Sequence, residues 1–485
     1  MTSGPLFYAP GLFFLVPLPN HRSFDSQEIL PLSDEGTSLT PTPSSIGTGW
    51  SLANTLTTTT TTTTKIMTLH RGPCRLLALS RRSRPSALSN RFPSPIPPQL
   101  RNASSSTNNA NARPKTAIFF PGQGVQKVGM LTPWIEAFPR TAKPIIEEID
   151  HIVGERLSFI IQEGPPKHLN LTPYAQPAIM ATSILILRIL EKEFDFKVSE
   201  RADFTLGHSL GEFAALISGG YFEFEDGLYM VQKRAEAFLE ATRRAEEEYG
   251  GEYGMVAIVS EPGYLQPLID AIDEFTGHSS AGAKSESAED KSPIDQVLIA
   301  NVNSKNQIVL SGNLDRIKTL VAHVRQFLGH DPRAVRLKSD SPFHSPIMKP
   351  AVGVLQRILA GKSRVKGKEH EDMVKWPGEV PCISNVSARP FESKEDLKDL
   401  LARQAVETVQ WWDSIKYLDQ EEKVRRWVGI GPGKVGRNLV GKEVGMRGKD
   451  TVKGGGVWAI TDPSEIEEVL RGLEETENLV EETEE

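Results

Sequence analysis

Leu206-Gly207-His208-Ser209-Leu210-Gly211-Glu212 sets a serine between two glycines, G-x-S-x-G, after residues that read as a strand and before a helical run. This is the pattern of a nucleophile elbow. The serine occupies a tight strand-to-helix turn, and the residues two before and two after it must be small, because a side chain there collides with neighbouring backbone. Gly207 and Gly211 meet that demand. The turn also aims the backbone N–H of Leu210 and the start of the next helix at the space beside Ser209 Oγ, where a developing oxyanion is held. Such geometry serves acyl transfer through a covalent serine ester.

Upstream of the elbow, Lys115–Phe120 is a short apolar strand ending at Pro121-Gly122-Gln123-Gly124, a strand leading into a Gly-rich loop. Helical patterns cover Ala142–Val153 and Gln176–Phe194, a strand ends at Gly207, and a long helical region runs from Glu212 to Ala245. Alternating strands and helices imply a parallel sheet covered on both faces. From Met255 the order changes to strand Met255–Val259, helix Tyr264–Phe275, strands Val297–Asn301 and Gln307–Ser311, helix Leu314–Leu328 and strand Ala334–Leu337. That β-α-β-β-α-β order predicts a ferredoxin-like subdomain inserted into the larger domain. His278–Pro293 and Lys362–Glu379 read as solvated loop insertions. Val380–Asn385 reads as a strand rejoining the large sheet, Lys394–Ala405 as a helix, and Trp427–Gly433 as strand then turn. The predicted class is α/β, a large α/β-hydrolase-like domain with a parallel sheet over 114–253 and 339–464, interrupted by the subdomain 254–338. An acidic tail, 465–485, is expected to be a solvated helix end or frayed terminus.

With 485 residues and 39% hydrophobic content the chain has material for a substantial core. Its net charge of -7 gives no argument for nucleic-acid binding. The two cysteines, Cys74 and Cys382, exclude a disulfide framework and stand in no zinc or redox motif. No Asp or Glu occurs between Glu35 and Glu136, and from Met67 the sequence is rich in Arg, Ser and Leu. That composition is a transit peptide's, with a mitochondrial (matrix) destination favoured because plastid leaders lean further towards Ser and Thr. The polar threonine run Thr57–Thr64 and the stretch Asn102–Asn111 flank it, so 1–113 are expected outside the fold, with Met67 the expected true start. The apolar Leu6–Leu18 is too short to cross a bilayer and lacks a basic flank.

A serine needs a base within hydrogen-bond reach. The best placed of ten histidines is His344, in a loop stiffened by Pro342 and Pro346 where the inserted subdomain returns to the large sheet. His208 is expected to point away from the serine and bond locally. With these residues in hand, the chain from about Lys115 to Asp462 resembles the malonyl-CoA:acyl carrier protein transacylases of the mitochondrial type. Five separated motifs occur in order: Phe120-Pro121-Gly122-Gln123-Gly124, the Ser209 elbow, Val231-Gln232-Lys233-Arg234, the His344 loop ending Met348-Lys349-Pro350, and Gly431-Pro432-Gly433-Lys434-Val435.

The resemblance implies Ser209 as nucleophile, His344 as general base and then acid, and Gln404 as the source of a carbonyl oxygen orienting the histidine. It implies an oxyanion hole from the N–H groups of Gln123 and Leu210. Arg234 is implied as the grip on the free malonyl carboxylate through two charge-assisted hydrogen bonds. Ala235 stands where many relatives have Gly. Phe343 resembles the residue of malonyl-selective relatives, its ring leaving little room for an α-methyl branch. The implied partners are malonyl-CoA and acyl carrier protein, in fatty acid biosynthesis, with no metal or redox cofactor. Carrier proteins are acidic, so Arg333, Arg336 and Lys338 are expected on the docking rim. A serine thioesterase or hydrolase, and a catalytically silent carrier-binding module, are the alternatives.

Overall fold

Ala117–Phe120 are almost fully buried, and their strand, β1 (Lys115–Phe120), is flanked on both sides: β2 (Phe204–Gly207) pairs with one edge and β7 (Val424–Ile430) with the other. The computed structural model describes residues 113–276, 292–328, 331–445 and 455–477. The remaining strands in chain order are β3 (Tyr253–Val259), β4 (Val297–Ser304), β5 (Gln307–Asn313), β6 (Arg333–Arg336) and β8 (Gly456–Ile460). One sheet has the order β2-β1-β7-β8 with every pairing parallel.

Alternate residues of β1 point to opposite faces, as a strand's period of two requires. Ile118 and Phe120 enter a core built from helices Pro139–Val153, Thr172–Phe194, Gly211–Ser218 and Phe224–Tyr249. Ala117 and Phe119 enter a second core with Trp411, Trp427, Leu439 and Val440. Helix Thr172–Phe194 is apolar and long enough to cross a membrane, but it is buried here between the helices Pro139–Val153 and Phe224–Tyr249, the signature of a core helix. The register pairs Phe120 with Gly207, so the Pro121–Gln123 turn and the Ser209 elbow leave the sheet side by side. Sites at the carboxyl ends of parallel strands follow from this arrangement.

The second sheet is antiparallel, β4-β5-β3-β6, connected β-α-β-β-α-β through helices Leu265–Thr276 and Leu314–Leu328, which pack on it through Ile272, Ile317, Leu320 and Val324. β4 is tied to the large domain at Val409, whose N–H donates to Ala300 O (2.8 Å) and whose carbonyl accepts from Val302 N–H (3.0 Å).

Four expectations need correction. The helical region Glu212–Ala245 is two helices, Gly211–Ser218 and Phe224–Tyr249, because Gly219-Gly220 turns the chain with Gly220 at φ 80°. Lys362–Glu379 is no solvated insertion: Met373 and Val374 are buried, Lys368 and Lys375 pair with Glu223, and Ser363 Oγ donates to buried Asp226 (2.7 Å). The rejoining strand at 380–385 is reduced to a bridge between Cys382 and Thr205. The acidic end holds a helix, Ile466–Glu475, whose Ile466, Val469 and Leu473 are buried in the main core. The leader, most of the 278–293 loop and the residues after 477 lie outside the described residues.

Candidate active site

Gly207 and Gly211 face each other across the elbow so closely that a Cβ on Gly207 would lie 2.0 Å from the Gly211 carbonyl carbon. One on Gly211 would lie 2.5 Å from Phe120 O. Between them Ser209 is held at φ 50°, the left-handed region that side-chain-bearing residues rarely adopt. His344 is held at φ 58°. Strain of this kind persists only where surroundings over-determine it. At the elbow, Asn385 supplies the determination: its Oδ1 accepts from Ser209 N–H and its Nδ2 donates to Gly207 O, both at 2.7 Å.

Ser209 Oγ lies 2.7 Å from His344 Nε2, and His344 Nδ1 lies 2.7 Å from the backbone carbonyl oxygen of Gln404. A carbonyl only accepts, so Nδ1 carries the proton and Nε2 presents its lone pair to the serine hydroxyl. Burial, with the charge of Arg234 adding to it, lowers the His344 pKa to about 3, leaving the imidazole neutral. The arrangement suits proton removal from a hydroxyl at neutral pH.

Arg234 is fully buried. Its Nη1 donates to Gln176 Oε1 (2.7 Å), and its Nη2 to Gln404 Oε1 (2.8 Å) and Ser209 Oγ (3.2 Å). The guanidinium carbon sits 4.4 Å from the Phe238 ring centroid, and Phe343 packs on the same ring at 5.2 Å. The fork is therefore planar, oriented and next to the nucleophile. Burial lowers the Arg234 pKa, and Glu212 opposes that shift.

The predicted site residues Ser209, Leu210, Gln123, Arg234, His344, Phe343 and Gln404 all come together. Gln123, Ser209, Phe343 and His344 line one cleft with Met255, Asn301, Val309, Leu337 and Lys338 of the inserted unit and its return. Leu210 caps the helix Gly211–Ser218 at its amino end. The Gln123 side chain is pinned by Gln176 Nε2 (3.0 Å) and Thr172 Oγ1 (3.1 Å), which fixes the backbone that carries its N–H. His208 turns from the serine, as expected, and its Nε2 lies 2.9 Å from Asn303 Oδ1 on β4. Of the expected rim, Lys338 lines the cleft and Arg336 pairs with Glu252. Among the described residues no three His, Cys, Asp or Glu side chains converge as metal ligands would.

The sequence reading missed Gln176, Glu212 and Asn385. Gln176 carried a signal, a lone amide in a long apolar helix. Asn385 and Glu212 carried none, because their partners lie far away in the chain.

A strained serine on a strand-to-helix turn, a neutral histidine held by a carbonyl and a buried guanidinium at the nucleophile define a serine-dependent acyl-transferring enzyme of α/β fold. No family model matches the chain. Curated relatives do: the malonyl CoA-acyl carrier protein transacylase of Bacillus subtilis (strain 168) is 36% identical over 362 residues, 74% of this chain and 98% of that protein. The namesake of Escherichia coli (strain K12) is 30% identical over 321 residues, 66% and 89% of the two chains. Among solved structures, the acyl-carrier-protein-S-malonyltransferase from Bartonella henselae superposes with a TM-score of 0.60 at 30% identity, covering 74% of this chain and 99% of its own. A type II PKS acyl-carrier protein in complex with its malonyl-transacylase matches with a TM-score of 0.58 at 26% identity, over 74% and 99%. The chain belongs to the malonyl-CoA:acyl carrier protein transacylase family.

Proposed function

We propose that this chain transfers a malonyl group from malonyl-CoA to the phosphopantetheine thiol of an acyl carrier protein, through a malonyl ester of Ser209, in fatty acid biosynthesis. The observation that carries the reading is the line Ser209 Oγ, His344 Nε2 and Gln404 O, with the Arg234 fork 3.2 Å from the same Oγ. Ser209 Oγ attacks the thioester carbonyl as its proton passes to His344 Nε2, and the oxyanion forms against the N–H groups of Gln123 and Leu210. Collapse breaks the C–S bond, and the imidazolium returns its proton to the departing CoA sulfur. The carrier thiol repeats the sequence in reverse, its proton going to His344 and then to Ser209 Oγ. Arg234 grips the malonyl carboxylate, a group that acetyl lacks.

The test is the intact mass of the full chain after brief mixing with malonyl-CoA or acetyl-CoA. A malonyl adduct on Ser209, absent with acetyl-CoA and discharged by holo carrier protein, is the expected result. Loss of the adduct to water alone would establish a hydrolase, and no adduct from either thioester a silent carrier-binding module.

The inserted unit, 254–338, within a large domain of 114–253 and 339–464 is supported by its own hydrophobic cluster on the antiparallel sheet, while the helix Ile466–Glu475, packed in the main core, carries the large domain past 464. The ferredoxin-like reading of the inserted unit is supported by its strand order and connections. Action in the mitochondrial matrix, after cleavage of a transit peptide starting at Met67, is supported by the acid-free, Arg-rich leader. Import into isolated mitochondria with proteolytic trimming is expected; import into plastids instead would overturn it.

A further inference from the structure

Glu212, one residue into the helix that follows the elbow, is almost fully buried, and the proton-transfer line makes no use of it. Its Oε1 accepts from the backbone N–H of Asn385 (2.8 Å) and its Oε2 from Gln404 Nε2 (2.6 Å). Both partners are donors only, so the pocket calls for two acceptor oxygens, the arrangement of a carboxylate. Burial pushes its pKa up to about 8, against the same two hydrogen bonds and the charge of Arg234, but both oxygens face N–H donors that a carboxylate satisfies best, and the geometry is that of the ionised form. A buried carboxylate is a costly way to join two segments, and an apolar contact would do so more cheaply.

What the carboxylate supplies is direction. Gln404 has an amide with one accepting and one donating end, and both are in use: Oε1 accepts from Arg234 Nη2, while Nε2 donates to Ser209 O (2.7 Å) and to Glu212. With the amide reversed, its NH2 would oppose the guanidinium and its oxygen would oppose the Ser209 carbonyl. An acceptor-only group at 212 holds the orientation in which Gln404 aims Arg234 at the serine. The Gln404 main chain also orients His344, so the same anchor reaches both catalytic functions.

We propose that Glu212 is a positioning residue for acyl-group selectivity, holding the Gln404 amide so that Arg234 stays aligned with Ser209. The inference rests on the reading of Arg234 as the malonyl grip. A glutamine at 212 has one acceptor and one donor, so it either abandons Asn385 or turns Gln404 over. Turning Gln404 over takes Oε1 away from the guanidinium outright, and setting the new NH2 against the Asn385 N–H pushes the 212 side chain off its other anchor and loosens its hold on Gln404. In both cases the alignment of Arg234 weakens and malonyl-CoA loses advantage over acetyl-CoA.

The experiment measures kcat/KM for Ser209 acylation by malonyl-CoA and by acetyl-CoA in the full chain, comparing wild type, Arg234→Ala, Glu212→Gln and Glu212→Asp. A purely structural role reduces the folded fraction and lowers both rates by one factor, leaving their ratio unchanged. The expected result is a malonyl-to-acetyl ratio at least tenfold lower in Glu212→Gln and a smaller fall in Glu212→Asp, which keeps both acceptors on a shorter arm. An unchanged ratio in Glu212→Gln overturns the proposal, as does one in Glu212→Asp should the glutamine variant fail to fold. If Arg234→Ala itself keeps the preference, the arginine reading falls and takes this inference with it. If Arg234→Ala loses the preference and the Glu212 variants keep it, this inference alone falls.

Discussion

The two walls of the cleft are built on different physics. One wall, carrying Ser209, His344, Gln123 and the buried Arg234 behind them, is a network of hydrogen bonds drawn from distant parts of the chain. The other, contributed by the inserted sheet through Met255, Asn301 and Val309 with Leu337 after it, is mostly apolar side chain. Directional bonds with donor and acceptor roles assigned leave little room for substitution, because each lost partner strands a buried polar group. Apolar contact is graded, so its changes cost less. Chemistry and acyl-group shape are therefore separable here.

The strongest way to break that division is at the nucleophile. Ser209→Ala is expected to lower malonyl transfer by at least about 10⁴-fold, since members of a proton-transfer unit fail together. Intact mass should show no adduct, and a variant that still acylates would move the chemistry off this wall. Phe343 stands where the walls meet, packed on the ring that carries Arg234. Phe343→Ala should raise methylmalonyl-CoA turnover relative to malonyl-CoA by roughly 10- to 100-fold, the size of a hydrophobic contact difference. Equal selectivity before and after would show that shape is read elsewhere.

The bonded wall also predicts a pH response. With its folded pKa depressed to about 3, His344 stays in the base form on acidification, so kcat/KM should show no falling limb from His344 between pH 7.5 and 5.5. A histidine of ordinary pKa would lose about tenfold over that interval. A limb near pH 6.5 that Glu212→Gln leaves in place would place the base in water instead. The smallest effect is expected at the rim. Lys338→Glu should slow discharge to carrier protein a few-fold, more at low salt, and leave acylation by malonyl-CoA unchanged. Equal slowing of both half-reactions would place Lys338 in the acyl pocket.

Much of this was legible in the residues. β1 and the helix Leu314–Leu328 begin and end where their patterns say, because strong apolar periodicity bounded by turn residues is a local signal. The elbow was legible for the same reason, since its two glycines answer a collision within five residues. Glu212 was not, because it reads as an ordinary helix glutamate and its environment is set by Asn385 and Gln404, 173 and 192 residues onward. The helix Val435–Val444 and β8 escaped notice because their apolar patterns are short. Lys362–Glu379 looked solvated because its charges hide the buried pair Met373 and Val374.

The nucleophile precedes its base by 135 residues and the Gln404 amide by 195, with the whole inserted sheet between. On the ribosome, at 5–20 residues per second, Ser209 therefore emerges roughly 10–40 seconds before Gln404. For the first 135 of those residues the serine has no imidazole to take its proton, and until Gln404 arrives neither His344 nor Arg234 has the partner that aims it, so the serine reacts as any other hydroxyl. An incomplete or unfolded chain is chemically mute amid CoA thioesters, and its reactivity is switched on only when the whole fold has closed around the serine.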